Sequence, residues 1–177
     1  IEVECLNNRA TEFRVNMGKA SFASREIPVT GETREVINEN FTFHEKDYKA
    51  TCLTVGNPHC IIFMDKVDEK TARALGPYVE SADEFPDRMN LQICRKIDTG
   101  NLDIEIWERG SGYTKASGTG SCAAAAAAYR LGLVESRVNV NQPGGMIQID
   151  ISDNGDIYMT GSVGYVADMR VAESFFS

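Results

Sequence analysis

Histidine is nearly absent from this chain. Only His44 and His59 occur in 177 residues, which excludes a His-rich metal centre. Cysteine is also sparse. Cys5, Cys52, Cys60, Cys94 and Cys122 are odd in number and form no Cys-x-x-Cys pair, so neither a zinc ribbon nor a secreted disulfide framework fits. Free thiols point to a reducing, cytoplasmic setting. Positive charge is in short supply, with 18 Lys+Arg against 26 Asp+Glu and a net charge of −8. A field of that sign repels phosphate backbones and anionic headgroups, which argues against nucleic acid or a membrane surface as partner. No apolar run reaches the roughly 18 residues of a membrane span, and no charged-then-apolar leader opens the chain. A starting Met is missing too. Ile1 leads at once into Glu2–Cys5 and Thr11–Met17, which read as strand, turn, strand. A preceding segment is therefore expected, the chain being a fragment, a processed product or an engineered piece.

What is present suffices for a core, since 42% of residues are apolar. The length suits one domain or a large half of a two-lobed enzyme. Period-two alternation predicts strands at Asp47–Val55, His59–Met64, Leu91–Ile97, Leu102–Trp107, Met146–Ile151 and Asp156–Thr160. Asn154-Gly155 predicts a hairpin turn, and Pro143-Gly144-Gly145 another turn. Two helices are expected. Glu69–Ser81 carries apolar Ala72, Leu75 and Val79 on one side and should lie on the surface. Ser121–Leu131 contains six consecutive alanines, Ala123 to Ala128, with Gly132 as its stop. A helix without a polar stripe is buried on nearly all sides. The expected fold class is α+β, a mainly antiparallel curved sheet wrapped around a buried central helix. No linker, repeat or low-complexity tract interrupts residues 1–177.

Chemistry concentrates in Glu108-Arg109-Gly110-Ser111-Gly112-Tyr113-Thr114-Lys115-Ala116-Ser117-Gly118-Thr119-Gly120-Ser121-Cys122. A strand ends on an acid and a base, a glycine-rich loop follows, and the loop enters the alanine helix. The open N–H groups and dipole of a helix start favour an anion such as a carboxylate or phosphate. The plainer alternative is a solvated hairpin before a core helix. Gly118-x-Gly120-x-x-Ala123 also weakly matches a dinucleotide loop, but no strand immediately precedes it in the predicted pattern.

Two further segments stand out. Gly56-Asn57-Pro58-His59-Cys60 is a turn between strands, offering an amide and a group that titrates near neutrality. Phe85-Pro86-Asp87-Arg88-Met89-Asn90 is a loop leading into a strand. Each alone reads most simply as an ordinary turn or polar loop.

Together, and in this order, the three segments closely resemble the second half of diaminopimelate epimerases. Val15-Asn16-Met17-Gly18, Leu75-Gly76-Pro77, Gln142-Pro143-Gly144-Gly145 and Tyr158-Met159-Thr160-Gly161 extend the resemblance over the whole chain. It implies one lobe of a two-lobed fold, with the amino-terminal lobe missing from this chain and a small amino-acid substrate between the lobes. It implies inversion of an amino-acid α-carbon with no cofactor, neither pyridoxal phosphate nor metal, in supply of lysine and peptidoglycan precursors. One base removes the α-proton and an acid on the opposite face returns one. A homodimer is compatible with it. By motif position, Gly118 and Thr119 are the backbone donors to the reacting carboxylate. The resemblance likewise implies that Glu108 holds the α-amino group, that His59 lies beside the catalytic pair, and that Asn57, Asn90 and Arg109 clamp the far end of the substrate.

The family places a catalytic cysteine where this chain has Ser117. A serine hydroxyl is not ionised near pH 7 and needs an adjacent base to take a proton. Cys122, five positions on, reads as a small buried hydrophobe rather than a replacement. Three accounts of Ser117 stay open: an engineered replacement, a natural relative with altered or lost chemistry, or a slow acid toward another substrate. Other racemases of the same fold and a non-catalytic binding lobe remain the competing functions.

Overall fold

The computed structural model describes residues 1–6 and 9–175. In chain order the elements are β1 (Glu2–Leu6), β2 (Arg9–Lys19), β3 (Glu39–Phe43), β4 (Lys46–Thr54), β5 (Pro58–Phe63), α1 (Glu69–Glu80), β6 (Asn90–Asp98), β7 (Asn101–Glu108), β8 (Gly112–Thr114), α2 (Gly118–Arg130), β9 (Arg137–Gln142), β10 (Gly145–Ile151) and β11 (Asp156–Ser162). A 3-10 turn at Glu173–Phe175 follows. The turn expected between the first two strands falls on residues 7–8, outside the described residues.

All strands join one sheet in the order β1-β2-β11-β10-β9-β7-β6-β5-β4-β3, with β8 paired to β7. Two neighbours run parallel, β5 with β6 and β7 with β9, and the other pairs are antiparallel. Adjacent parallel strands need a crossover. Helix α1 supplies the first and α2 the second, on opposite faces of the sheet. Period two sorts the side chains between them. Leu53, Ile61, Cys94, Leu102, Ile104 and Ile106 face α2, whereas Cys52, Cys60, Ile62, Leu91 and Ile93 face the α1 side. The central strands are therefore covered on both faces, and each helix has its own core.

Helix α2 packs on β11, β10, β9, β7, β6, β5 and β4, which are consecutive neighbours. Laid flat, that run would span roughly 30 Å, against a helix about 10 Å across. The sheet curls around α2, and alanine permits the close approach: Ala123 to Ala128 are at most 5% exposed. The helix begins at Gly118, three residues before the expected Ser121, because Ser117 caps it with its own side chain. Helix α1 lies on the outside as expected, with Ala72, Leu75, Gly76 and Val79 buried beneath it.

The short strands β3, β8 and β9 were not apparent in the periodicity. Strand β8 ends close before Gly118, yet it is three residues long and antiparallel to β7, which is not the parallel unit of a dinucleotide site.

Candidate active site

The start of β5, the start of β6 and the end of β7 meet at one end of the sheet. Parallel pairing sets His59 beside Asn90, and antiparallel pairing sets Leu91 beside Trp107. The amino terminus of α2 arrives at the same end. His59, Asn90 and Gln92 have the parity of the residues that face α2.

Ser117 is the N-cap of α2. Its Oγ accepts from Gly120 N at 3.2 Å, and its carbonyl accepts from Ser121 N at 3.0 Å. Among the described residues these bonds leave Gly118 N and Thr119 N as the open donors of the helix start. Ser117 N donates to Gln142 Oε1 at 2.9 Å, and Gly144 N donates to Lys115 O at 2.6 Å. The turn after β9 thus pins the loop that enters α2. A Cβ at Gly120 would lie 3.0 Å from Gln92 Nε2 and 3.1 Å from Ser117 Oγ, so a side chain there would press these two groups aside by a few tenths of an ångström.

Thr119 links this loop to the second segment. Asn57 Nδ2 donates to Thr119 Oγ1 at 3.4 Å, and Asn57 Oδ1 lies 3.0 Å from His59 Nε2. His59 Nδ1 lies 2.8 Å from Gln92 Oε1. Burial drives His59 down from 6.5 to about 4; the Gln92 hydrogen bond opposes this fall and the nearby Arg109 charge adds to it. The ring is therefore neutral at pH 7, with one donor and one acceptor. Gln92 Nε2 is the buried amide nitrogen that lacks a partner among the described residues. Turning that amide so that Gln92 Nε2 donates to His59 Nδ1 lets His59 Nε2–H donate to Asn57 Oδ1.

The third segment closes the cluster. Asn90 Nδ2 donates to Pro58 O at 2.7 Å, and Asn90 Oδ1 accepts from Arg109 N at 2.8 Å. The Arg109 side chain is anchored through Nη1 to Asp87 O at 2.6 Å, and the residue is exposed. Glu108 is half-buried at the end of β7, its carboxylate without a polar partner among the described residues. All eight residues singled out from sequence, Asn57, His59, Asn90, Glu108, Arg109, Ser117, Gly118 and Thr119, thus lie around one end of the sheet. Gln92 and Gln142 were not foreseen as members, although a polar Gln92 alternating with Asn90 on the α2 face was a usable signal. Cys122 sits fully buried as the fifth residue of α2, its thiol pushed up to about 12 by burial, so it offers no thiolate.

The depressed His59 has a stability consequence. In the unfolded chain it binds a proton below about 6.5, whereas in the folded protein it does so only below about 4. Stability therefore declines as pH falls from 6.5 to 4, by about 3 kcal/mol at the lower end. Denaturant midpoints across this range, compared with His59→Gln, measure the contribution. Equal pH slopes in both proteins would contradict a neutral buried ring.

A family model for diaminopimelate epimerase matches residues 51–166. Diaminopimelate epimerase 2 of a Nostoc species is 46% identical over 164 residues, covering 93% of this chain and 58% of that protein. The diaminopimelate epimerase of Bacillus cytotoxicus is 35% identical over 163 residues, 90% of this chain and 57% of that protein. The chain thus spans little more than half the length of these relatives. Among solved structures, a probable proline racemase from Agrobacterium radiobacter, with bound carbonate, superposes with a TM-score of 0.67 over 97% of this chain and 56% of that one, at 13% identity. A hydroxyproline epimerase from Agrobacterium vitis gives 0.64 over 90% of this chain and 52% of that one, at 11% identity. At such identities these two establish the fold, while the family match and the closer sequence relatives go further: this chain belongs to the diaminopimelate epimerase family.

Proposed function

We propose that residues 1–177 form the carboxyl-terminal lobe of a two-lobed, cytoplasmic diaminopimelate epimerase acting in lysine and peptidoglycan precursor supply. The observation that carries this is the single hydrogen-bonded cluster joining the α2 start to Asn57, His59 and Gln92, beside the Asn90–Arg109 pair. In this reading Gly118 N and Thr119 N take the reacting carboxylate, where the helix dipole favours negative charge. Glu108, unpaired and half-buried, takes the α-amino group. Asn57, Asn90 and the free N–H groups of Arg109 take the far end of the substrate. His59, neutral at pH 7, orders Asn57 and leaves the local charge balance to the substrate. The chemistry is proton removal on one face of the α-carbon and proton return on the other, interconverting the LL and meso isomers. It requires an opposing cysteine from an amino-terminal lobe, so this chain alone is expected to be inactive.

Arg109→Ala in the two-lobed protein tests the clamp. Loss of a charge-assisted contact of about 1.5–3 kcal/mol corresponds to roughly 10–100-fold weaker binding of diaminopimelate. Calorimetry gives the number, and an unchanged Kd removes Arg109 from the site.

Ser117 favours a second reading, a lobe that binds an amino acid without turning it over. Solvent deuterium appearing at the substrate α-carbon supports the epimerase. Tight binding with no exchange, even with a thiol at position 117, supports the binding lobe.

A further inference from the structure

We infer that Glu80 is the positioning residue that sets the Asn90–Arg109 pair and, through it, selectivity for a substrate with a second charged end; this rests on the epimerase reading of the site. Glu80 is the last residue of α1 and only 5% exposed, unusual for a carboxylate. Donors from separate segments converge on it. Arg88 Nη2 and Gly110 N reach Oε1, the latter at 2.8 Å, and Trp107 Nε1 reaches Oε2 at 2.6 Å. The Glu80 main-chain carbonyl also accepts from Met89 N at 3.2 Å.

These contacts bracket the clamp. Residues 88 and 89 immediately precede Asn90, and residues 107 and 110 flank Glu108 and Arg109. The two brackets are joined by Arg109 N to Asn90 Oδ1 and by Arg109 Nη1 to Asp87 O. Arg88 adopts φ +62, a left-handed conformation that a long side chain rarely takes. Its guanidinium reaches Glu80 from that conformation, so the same contact holds the backbone bend that delivers Asn90 to β6. A substrate group placed on the Arg109 fork is therefore positioned by a carboxylate that it never touches. An amide at position 80 would turn an NH2 group toward donors and release at least one bracket.

The test uses the intact two-lobed protein. Glu80→Gln is expected to weaken diaminopimelate binding about 10–100-fold by calorimetry. Leu75→Ala, which trims a buried side chain of the same helix away from the brackets, is expected to lower the thermal midpoint comparably and leave Kd within about threefold. Equal losses of affinity in the two variants, or a folded Glu80→Gln protein with unchanged affinity, overturn the inference. Should Glu80→Gln not fold, Trp107→Phe keeps the ring bulk and deletes one donor; about 3–10-fold weaker binding is expected, and unchanged binding overturns. A protein that binds no diaminopimelate before any substitution counts instead against the epimerase reading. Amide exchange then decides the role of Glu80, with the Arg109 and Gly110 amides expected to exchange at least about tenfold faster in Glu80→Gln, or in Trp107→Phe, and unaltered exchange refuting it.

Discussion

Ser117→Cys in the two-lobed protein is expected to raise α-proton exchange by about 10²–10⁴-fold, the usual contribution of a positioned acid or base. The cause is protonation chemistry at an otherwise intact site. An ordinary thiol titrates near 8.5, and a helix amino terminus lowers that further, whereas a serine hydroxyl stays un-ionised at neutral pH. Residue 117 sits where that influence is greatest, as the N-cap of α2. The substitution carries an opposing cost. Ser117 Oγ accepts from Gly120 N, and a sulfur accepts more weakly, so about 0.5–2 kcal/mol of stability is expected to be lost. Activity up and stability down is the joint signature, read by deuterium incorporation in D2O and by thermal midpoint. A stable, substrate-binding Ser117→Cys protein showing no faster exchange would place the reacting carbon elsewhere.

Gly76→Ala is expected to destabilise the fold by about 2–3 kcal/mol, opposite in sign to the helix-propensity expectation of about 1 kcal/mol in favour of alanine. A Cβ at this position would lie 2.3 Å from Cγ and Cδ2 of Trp107 and 2.7 Å from Cε3. Those atoms belong to a ring held by the bond from Nε1 to Glu80, so a retreat of the ring would strain that bond. For a chain of this length the loss corresponds to roughly 5–10 °C in melting temperature. Trp107 is the only tryptophan of this chain, so its emission reports ring displacement directly. A raised melting temperature would mean that α1 does not press on β7 as described. The two effects differ in kind: residue 117 governs chemistry at an intact fold, and residue 76 governs the packing that carries the Glu108–Arg109 corner.

The sequence by itself determined the fold class, the burial of α2 and most of the side chains that meet at one end of the sheet. Six alanines in succession admit no polar face, and the period-two alternation read along β4 to β7 and along β10 and β11 marked those segments as strands. Motif order then brought Asn57, His59, Asn90, Glu108, Arg109 and residues 117 to 119 together, because their resemblance to one family is specific where each segment alone is not. Only the tertiary structure decided which strands are neighbours, that β5–β6 and β7–β9 run parallel, and that a second core lies under α1. Periodicity reports which way a side chain points, not which strand it points beside. The same limit hid Gln92, Gln142 and Glu80, whose partners His59, Ser117 and Gly110 lie 33, 25 and 30 residues away in the chain. A buried amide or carboxylate is tolerated only where its partners converge, and that convergence is created when two crossovers fold onto opposite faces of one sheet.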